Sequence, residues 1–170
     1  MKRTALFIFI VLLLNHSFAQ TTYTSFPDPK NKEVTIYKGM ITKYLLQNDP
    51  SIKWYKQNHN EYNPNLSVVT AFEAARQKFT FMIFGGSWCD DTQFILPRFF
   101  KLQELSGLPD SSISFFGVDR EKKSIGNLST ILNITNVPTI IVMKEGKEVG
   151  RVVEYGKSGS WENDLMELIK

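Results

Sequence analysis

An α/β fold with a central mixed β-sheet flanked by helices is what this sequence predicts, and three observations predict it. Phe79-Thr80-Phe81-Met82-Ile83-Phe84 is a continuous apolar and aromatic run, the composition of a strand covered on both faces of a sheet. Downstream, short apolar runs alternate with segments of helical pattern. Near the end, Glu145-Gly146-Lys147 separates two strand-like runs as a tight hairpin signal.

The elements follow in order. Gln20 to Lys32 is polar, carries Pro27 and Pro29, and reads as a flexible lead-in. Val34 to Tyr37 suits a short edge strand, and Ile41 to Gln47 a helical turn. Asp49-Pro50 is an N-cap with proline at the first helical position, opening a helix through about Tyr62. Asn63-Pro64-Asn65 breaks it. Leu66 to Lys78 is the next helix, with Val68, Val69, Phe72 and Ala75 on one face. After the strand 79–84, Gly85-Gly86-Ser87-Trp88-Cys89 is a turn, and a helix runs from about Asp90 to Leu105. Ser112 to Val118 is a second buried strand and Ser124 to Leu132 a helix; Arg120-Glu121-Lys122-Lys123 between them reads as a solvated loop. Thr139 to Lys144 and Glu148 to Glu154 are the hairpin strands. A terminal helix spans Ser160 to Ile169, capped by Ser160, with Trp161, Leu165 and Leu168 inward. Parallel pairing is expected first and the antiparallel hairpin last.

Composition narrows the chemistry. The 170 residues include one cysteine, Cys89, which excludes an intrachain disulfide framework, a Cys₄ or Cys₂His₂ zinc site and a self-contained dithiol centre. Of two histidines, His16 lies in the leader described next, so His59 alone cannot build a multi-His site. A net charge of +3 is too small to argue for nucleic acid. Lys2 and Arg3, the apolar run Ala5 to Leu14, and Ser17-Phe18-Ala19 form the three parts of a secretory signal peptide cleaved after Ala19. The apolar run is about half of the ~20 residues a spanning helix needs, so no stable membrane anchor is expected. No cysteine lies near the cut, which disfavours a lipoprotein. Removing Lys2 and Arg3 leaves 18 basic against 17 acidic residues, a net charge of +1. The expectation is an exported protein, periplasmic or extracellular, where disulfide chemistry is available. The domains expected are 1–19 signal peptide, 20–65 N-terminal helical extension and 66–170 the α/β domain.

Cys89 stands between a buried strand and a helix start. Unpaired N–H groups and the positive end of the helix dipole favour a thiolate there, and the thiolate is the nucleophilic form. The competing reading is a buried, inert thiol. Gly85-Gly86-Ser87 and Asp90-Asp91 place it at a surface rim instead. Asp90 and Asp91 stabilise the helix start and oppose a second negative charge on Cys89. As neighbours on a helix they point in different directions, so no metal is expected with them.

The segment Phe84-Gly-Gly-Ser-Trp88-Cys89-Asp90-Asp91-Thr92 resembles the active-site stretch of the thioredoxin superfamily, in which an aromatic strand leads into Trp-Cys-x-x-Cys. Pro97 matches the proline of the family's active-site helix, and Asn136-Val137-Pro138-Thr139 looks like its cis-proline loop. Met143 to Lys147 is similar to its hairpin, and Gly156 falls at its glycine after the last strand. The resemblance covers about residues 66 to 170 and implies a thioredoxin-like fold. It implies a substrate-facing Trp88 at the rim, or an indole that merely lids the helix start. It also implies that the backbone of Val137, before Pro138, pairs with an extended substrate strand, the alternative being a plain structural turn.

The departures are informative. Thr92 replaces the second cysteine, the family's buried acid falls on Ile83, and its lysine partner on Phe115. An efficient dithiol reductase is therefore not expected. Monothiol chemistry remains: Cys89 forms a mixed disulfide with a protein or low-molecular-weight thiol or disulfide, and an external thiol releases it. The Thr92 hydroxyl either hydrogen-bonds the sulfur or is an ordinary first-turn residue. A redox-inactive binding or chaperone-like module is the alternative. An enzyme pairing Cys89 with His59 fails on placement, since His59 lies in the extension. Trp54, Tyr55, His59 and Tyr62 read as packing of that extension onto the domain. No cofactor and no nucleic-acid partner are expected.

Overall fold

The computed structural model describes residues 22–170; the expected signal peptide lies outside the described residues. Six strands form one sheet in the order β1-β2-β4-β3-β5-β6: β1 (Tyr23–Pro27), β2 (Thr35–Ile41), β3 (Thr80–Gly85), β4 (Ile113–Gly117), β5 (Thr139–Lys144) and β6 (Lys147–Val153). The helices are α1 (Lys43–Asn48), α2 (Lys53–Glu61), α3 (Leu66–Ala75), α4 (Asp90–Ser106), α5 (Leu128–Ile131) and α6 (Trp161–Leu168). Only β3 and β4 pair in parallel; the other four ladders are antiparallel. This is the mixed, helix-flanked sheet of a thioredoxin-like fold.

Side chains alternate across the sheet with the strand period of two. Phe81, Ile83, Phe115, Ile140 and Val142 face the larger core, into which α1–α4 and α6 pack. Phe84, Ile141 and Val137 face the other way, beneath Leu128 of α5 and Leu132. The larger core is aromatic at its centre. Phe72 of α3 stacks on Phe81 at 5.9 Å, and Phe99 of α4 meets both edge-on, at 6.0 and 5.7 Å. Such pairs add to the area they bury.

Residues 20–65 depart from a purely helical extension. Their helices α1 and α2 form, but residues 23–41 are a β-hairpin that adds two strands to the sheet. Tyr23 to Pro27 pairs antiparallel with Thr35 to Gly39, and Gly39 to Ile41 with Phe115 to Gly117. Gly39 and Gly117 sit opposite each other in that ladder, and a Cβ on Gly117 would run into the Tyr37 carbonyl. The close approach explains two glycines where a strand usually carries branched side chains. The lead-in is not flexible throughout either, because Asp28 is fully buried.

Two helix starts also shift. Asp49 does not cap a helix at residue 50; its carboxylate accepts from Ser51 N and Oγ, at 2.8 and 2.7 Å, and from the Tyr37 hydroxyl. The helix therefore opens at Lys53. The helix expected over 124–132 contracts to Leu128–Ile131. Ser124 instead staples a loop, its N–H on Ser129 Oγ at 3.2 Å and its hydroxyl on the Gly117 carbonyl at 3.1 Å. By contrast the β5–β6 hairpin is a two-residue turn, Glu145-Gly146, both at positive φ (51° and 76°), the form suited to twisted strands.

The N-terminal region is fastened to α4 by charge as well as packing. Buried Lys43 donates to Gln103 Oε1 at 3.0 Å and Glu104 Oε1 at 3.1 Å, and lies 3.2 Å from Asp110 Oδ1. A lysine taken out of water needs such partners. Tyr55 packs against Phe100 of α4, and Tyr62 against Trp161 of α6. The aromatic cluster 54–62 is thus packing.

Phe99 has no exposed surface and three aromatic neighbours. Phe99→Ala is expected to lower unfolding stability by about 3–5 kcal/mol. Leu66→Ala, at a side chain 76% exposed, is expected to change it by under about 0.5 kcal/mol. Urea unfolding of both variants checks the contrast.

Candidate active site

Three chain segments converge at the C-terminal end of β3. The strand releases the chain at Gly85, and Gly86 to Cys89 turns it into α4. Cys89 occupies the N-cap position with extended backbone (φ −101°, ψ 123°), and its N–H returns to the Gly86 carbonyl at 2.9 Å. Its side chain is partly exposed and unpaired. The thiol donates to the Val137 carbonyl at 3.1 Å, across 48 residues of sequence. The Val137–Pro138 peptide is cis. That loop is held on both sides: Thr139 Oγ1 donates to the Asn136 carbonyl at 2.7 Å, and Glu154 N to the Pro138 carbonyl at 2.7 Å.

Thr92 lies one turn into α4, and its hydroxyl does not reach the sulfur. It is 1% exposed, and Oγ1 accepts the Gly86 N–H at 3.3 Å. The expected hydrogen bond to sulfur gives way to closing the turn, because a buried backbone N–H needs an acceptor. Trp88 is partly exposed and lies against Gly86, where a Cβ would come within 2.6 Å of the indole. Its Nε1–H donates to the Val118 carbonyl at 3.0 Å. Ser87 Oγ donates to the Thr35 carbonyl of β2 at 2.6 Å, and Gln93 Nε2 to the Ser87 carbonyl at 2.8 Å. Every residue from Gly86 to Cys89 is thereby tied down.

Ile83 and Phe115 are paired in register across β3 and β4 and both are buried in the larger core, whereas Cys89 and Trp88 pack on the other cluster with Phe84 and Val137. The sheet is thus apolar at the two positions where the family resemblance calls for an acid and a lysine. Pro97 lies inside α4, which continues through it to Ser106. His59 pairs with Glu104 Oε2 at 3.0 Å, fifteen residues along α4 from Cys89. At 1.5 Å per residue that is about 22 Å, so no Cys–His pair forms.

Sequence reasoning missed Asp28 and Arg120. Arg120 leaves the loop read as solvated and donates Nε and Nη2 to the Asp28 carboxylate at 2.7 and 2.5 Å. Its guanidinium carbon is 4.9 Å from the Trp88 ring centroid, and Lys122 Nζ is 5.8 Å away. The Arg120 hydrogen bonds hold the Asp28 carboxyl below the usual range and raise the guanidinium in turn. The available signal was weak: Asp28 between two prolines resembles any surface turn. On the other side of the site the Tyr155 ring lies 6.0 Å from that of Phe94, tilted by 47°, and both rings are exposed. Burial first, then the Asp91 carboxylate, push the Tyr155 hydroxyl up.

Two variants probe this arrangement. Thr92→Val removes the acceptor for Gly86 N–H, with an expected cost of about 1–3 kcal/mol, largely restored by Thr92→Ser; urea denaturation reads both. A carboxyl with depressed pKa contributes stability that is present above its unfolded value and lost as pH falls through the folded one. The urea midpoint of the native chain should therefore exceed that of Asp28→Asn at neutral pH. The gap should close as pH drops below about 4.

A family model described as thioredoxin matches residues 41–160. Among solved structures, a protein of unknown function from Pseudomonas aeruginosa is similar, with a TM-score of 0.50 and 15% identity, covering 69% of this chain and 80% of that one. An HIV epitope-scaffold is similar at a TM-score of 0.47 and 16% identity, again over 69% and 80% of the two chains. At the first of these identities likeness speaks to fold alone, and the second adds no argument. No curated protein matches the chain. With the family match spanning well over half of its length, the chain belongs to the thioredoxin family.

Proposed function

We propose that this protein is an exported thiol–disulfide exchange or client-capture protein working through one reactive cysteine. The observation that carries the reading is the placement of Cys89: partly exposed, at the N-cap of a 17-residue helix, with its sulfur 3.1 Å from the carbonyl preceding cis-Pro138. Exposure admits a partner, and the thiolate is the form that attacks.

The exchange step is balanced without a cofactor. The Cys89 thiolate attacks one sulfur of a client disulfide, that S–S bond breaks, and the other client sulfur departs with the electron pair and takes a proton from water. Cys89 and client are then joined. With no second thiol in the chain, an external thiol attacks this mixed disulfide and either frees Cys89 or frees the client. Trp88, partly exposed, is the surface next to the sulfur and so is offered to the client; Val137 and Pro138 are buried, and it is the Val137 carbonyl, freed when the thiol loses its proton, that is left for the client. Thr92 acts by holding the turn. The leader Lys2 to Ala19 supports export, to a compartment where client disulfides occur.

A second reading, a binding module without redox chemistry, is favoured by Ile83 and Phe115, two buried apolar residues at the positions where the resemblance calls for a proton-moving acid and its lysine. One experiment separates them. Protein recovered under acid-quenched conditions from its own compartment, run on a non-reducing gel, should show reducible adducts that Cys89→Ser abolishes. Adducts of equal amount in Cys89→Ser, or none in either, would leave the binding module. In an insulin reduction assay the native chain should show little turnover. Thr92→Cys should gain it, since it restores an internal resolving thiol.

A further inference from the structure

Between the N-terminal hairpin and the active-site loop lies a polar cleft of about 570 Å³. Its walls are the turn following β1, the start of α2 with Trp54, and the segment Ser87 to Gln93. Trp88 and Asp90, the residues on either side of Cys89, both line it. A client joined to Cys89 therefore has this opening beside it. The minimal fold predicted over residues 66 to 170 would lack two of these three walls.

The charges of the cleft can be taken one by one. Asp28 is fully buried and neutralised by the two hydrogen bonds from Arg120. Glu33 and Asp90 also line the cleft, one from each wall, and neither makes an ion pair among the described residues. Lys122, near the Trp88 ring, is outside the lining. The opening therefore carries two carboxylates without an ion-pair partner; the Trp88 ring already faces Arg120 at 4.9 Å and Lys122 at 5.8 Å, which leaves Trp54 as the indole with no such cation among the described residues. Carboxylates beside an indole suit a primary ammonium or guanidinium.

We propose that this cleft is a specificity subsite that takes a basic side chain of the client, a lysine or arginine close in sequence to the cysteine that Cys89 attacks. The inference rests on the exchange reading above and adds the class of client. The hairpin closing the cleft would then belong to the client-binding surface, with Glu33 as its specificity-determining residue.

The test uses three short peptides that differ only in having Lys, Gln or Glu two residues from a single cysteine. That cysteine is activated as its mixed disulfide with thiopyridine. Attack by the Cys89 thiolate on the peptide sulfur forms the Cys89–peptide disulfide and expels thiopyridone, whose absorbance reports the rate. At low ionic strength the Lys peptide should react about fivefold faster than the Glu peptide, and added salt should compress the ratio. Glu33→Gln should bring the Lys-to-Glu peptide rate ratio below about twofold. Equal rates for the three peptides, or a preference for Glu, would overturn the subsite while leaving exchange intact. A Glu33→Gln ratio unchanged from the native chain would overturn it too. Failure of all three peptides to react with Cys89 would instead remove the exchange reading on which the subsite depends.

Discussion

The sheet is registered on β3, and so is the site. That strand is hydrogen-bonded along both edges, parallel to β4 and antiparallel to β5, and Phe81, Ile83 and Phe84 have no exposed surface. A strand enclosed on both faces cannot slip by one residue without turning its apolar side chains from one core to the other. Its C-terminal end is consequently a fixed point. The parallel partner arrives there at Gly117, so that the Val118 carbonyl meets the Trp88 indole. The antiparallel partner begins there at Thr139, so that the Val137–Pro138 loop arrives beside the sulfur. Cys89 and Val137 meet because one strand has a parallel neighbour on one side and an antiparallel neighbour on the other.

The N-terminal hairpin adds a fourth arm. A carboxylate with no exposure, such as Asp28, is strongly destabilising unless a charged partner meets it with good geometry. Arg120 provides that geometry with two hydrogen bonds, and it stands one residue beyond Asp119, which itself pairs with Lys38 of β2 at 2.6 Å. The loop after β4 is thus bound to the hairpin at two successive residues, while Ser87 is bound to Thr35. Trp88 lies between these attachments. Movement of the hairpin would unpair a buried charge, so the cleft wall and the active-site loop behave as one unit.

Strongly patterned parts of the sequence were the legible ones. The strand at 79–84, the helix from Asp90, the Glu145-Gly146 turn and the Ser160 cap each carry local chemistry that specifies them, and Cys89, Trp88 and Pro138 could be placed from those elements. The β1–β2 hairpin was not legible because its stability is non-local. Tyr23 to Pro27 is partly exposed and weakly alternating, and becomes a strand by pairing with β2. Asp28 and Arg120 are 92 residues apart, and either alone reads as solvated. The Asp49-Pro50 cap misled for a related reason: the carboxylate is taken by Tyr37, on a strand that local patterning barely signals. Thr92 shows the same limit at short range. Its two possible partners, the sulfur and the Gly86 N–H, lie on the same turn, and only the need to satisfy a buried backbone donor decides between them.

The missing acid, lysine and second thiol bear on how an exchange at Cys89 would proceed. Ile83 and Phe115 stand at the acid and lysine positions, and Thr92 is engaged with the backbone. On the exchange reading, the incoming client, the proton and the resolving thiol all reach the sulfur from the solvent side. That side is bordered by Trp88 with its Arg120 neighbour, by Val137, and by the Tyr155 and Phe94 rings. A dithiol enzyme separates these traffic streams, because its second thiol attacks from within the protein. Here they share one approach, so a client that fills the approach also slows its own release. Contacts around Cys89 would then set the lifetime of the mixed disulfide as much as its rate of formation, which makes prolonged capture a natural outcome for a single cysteine in this setting.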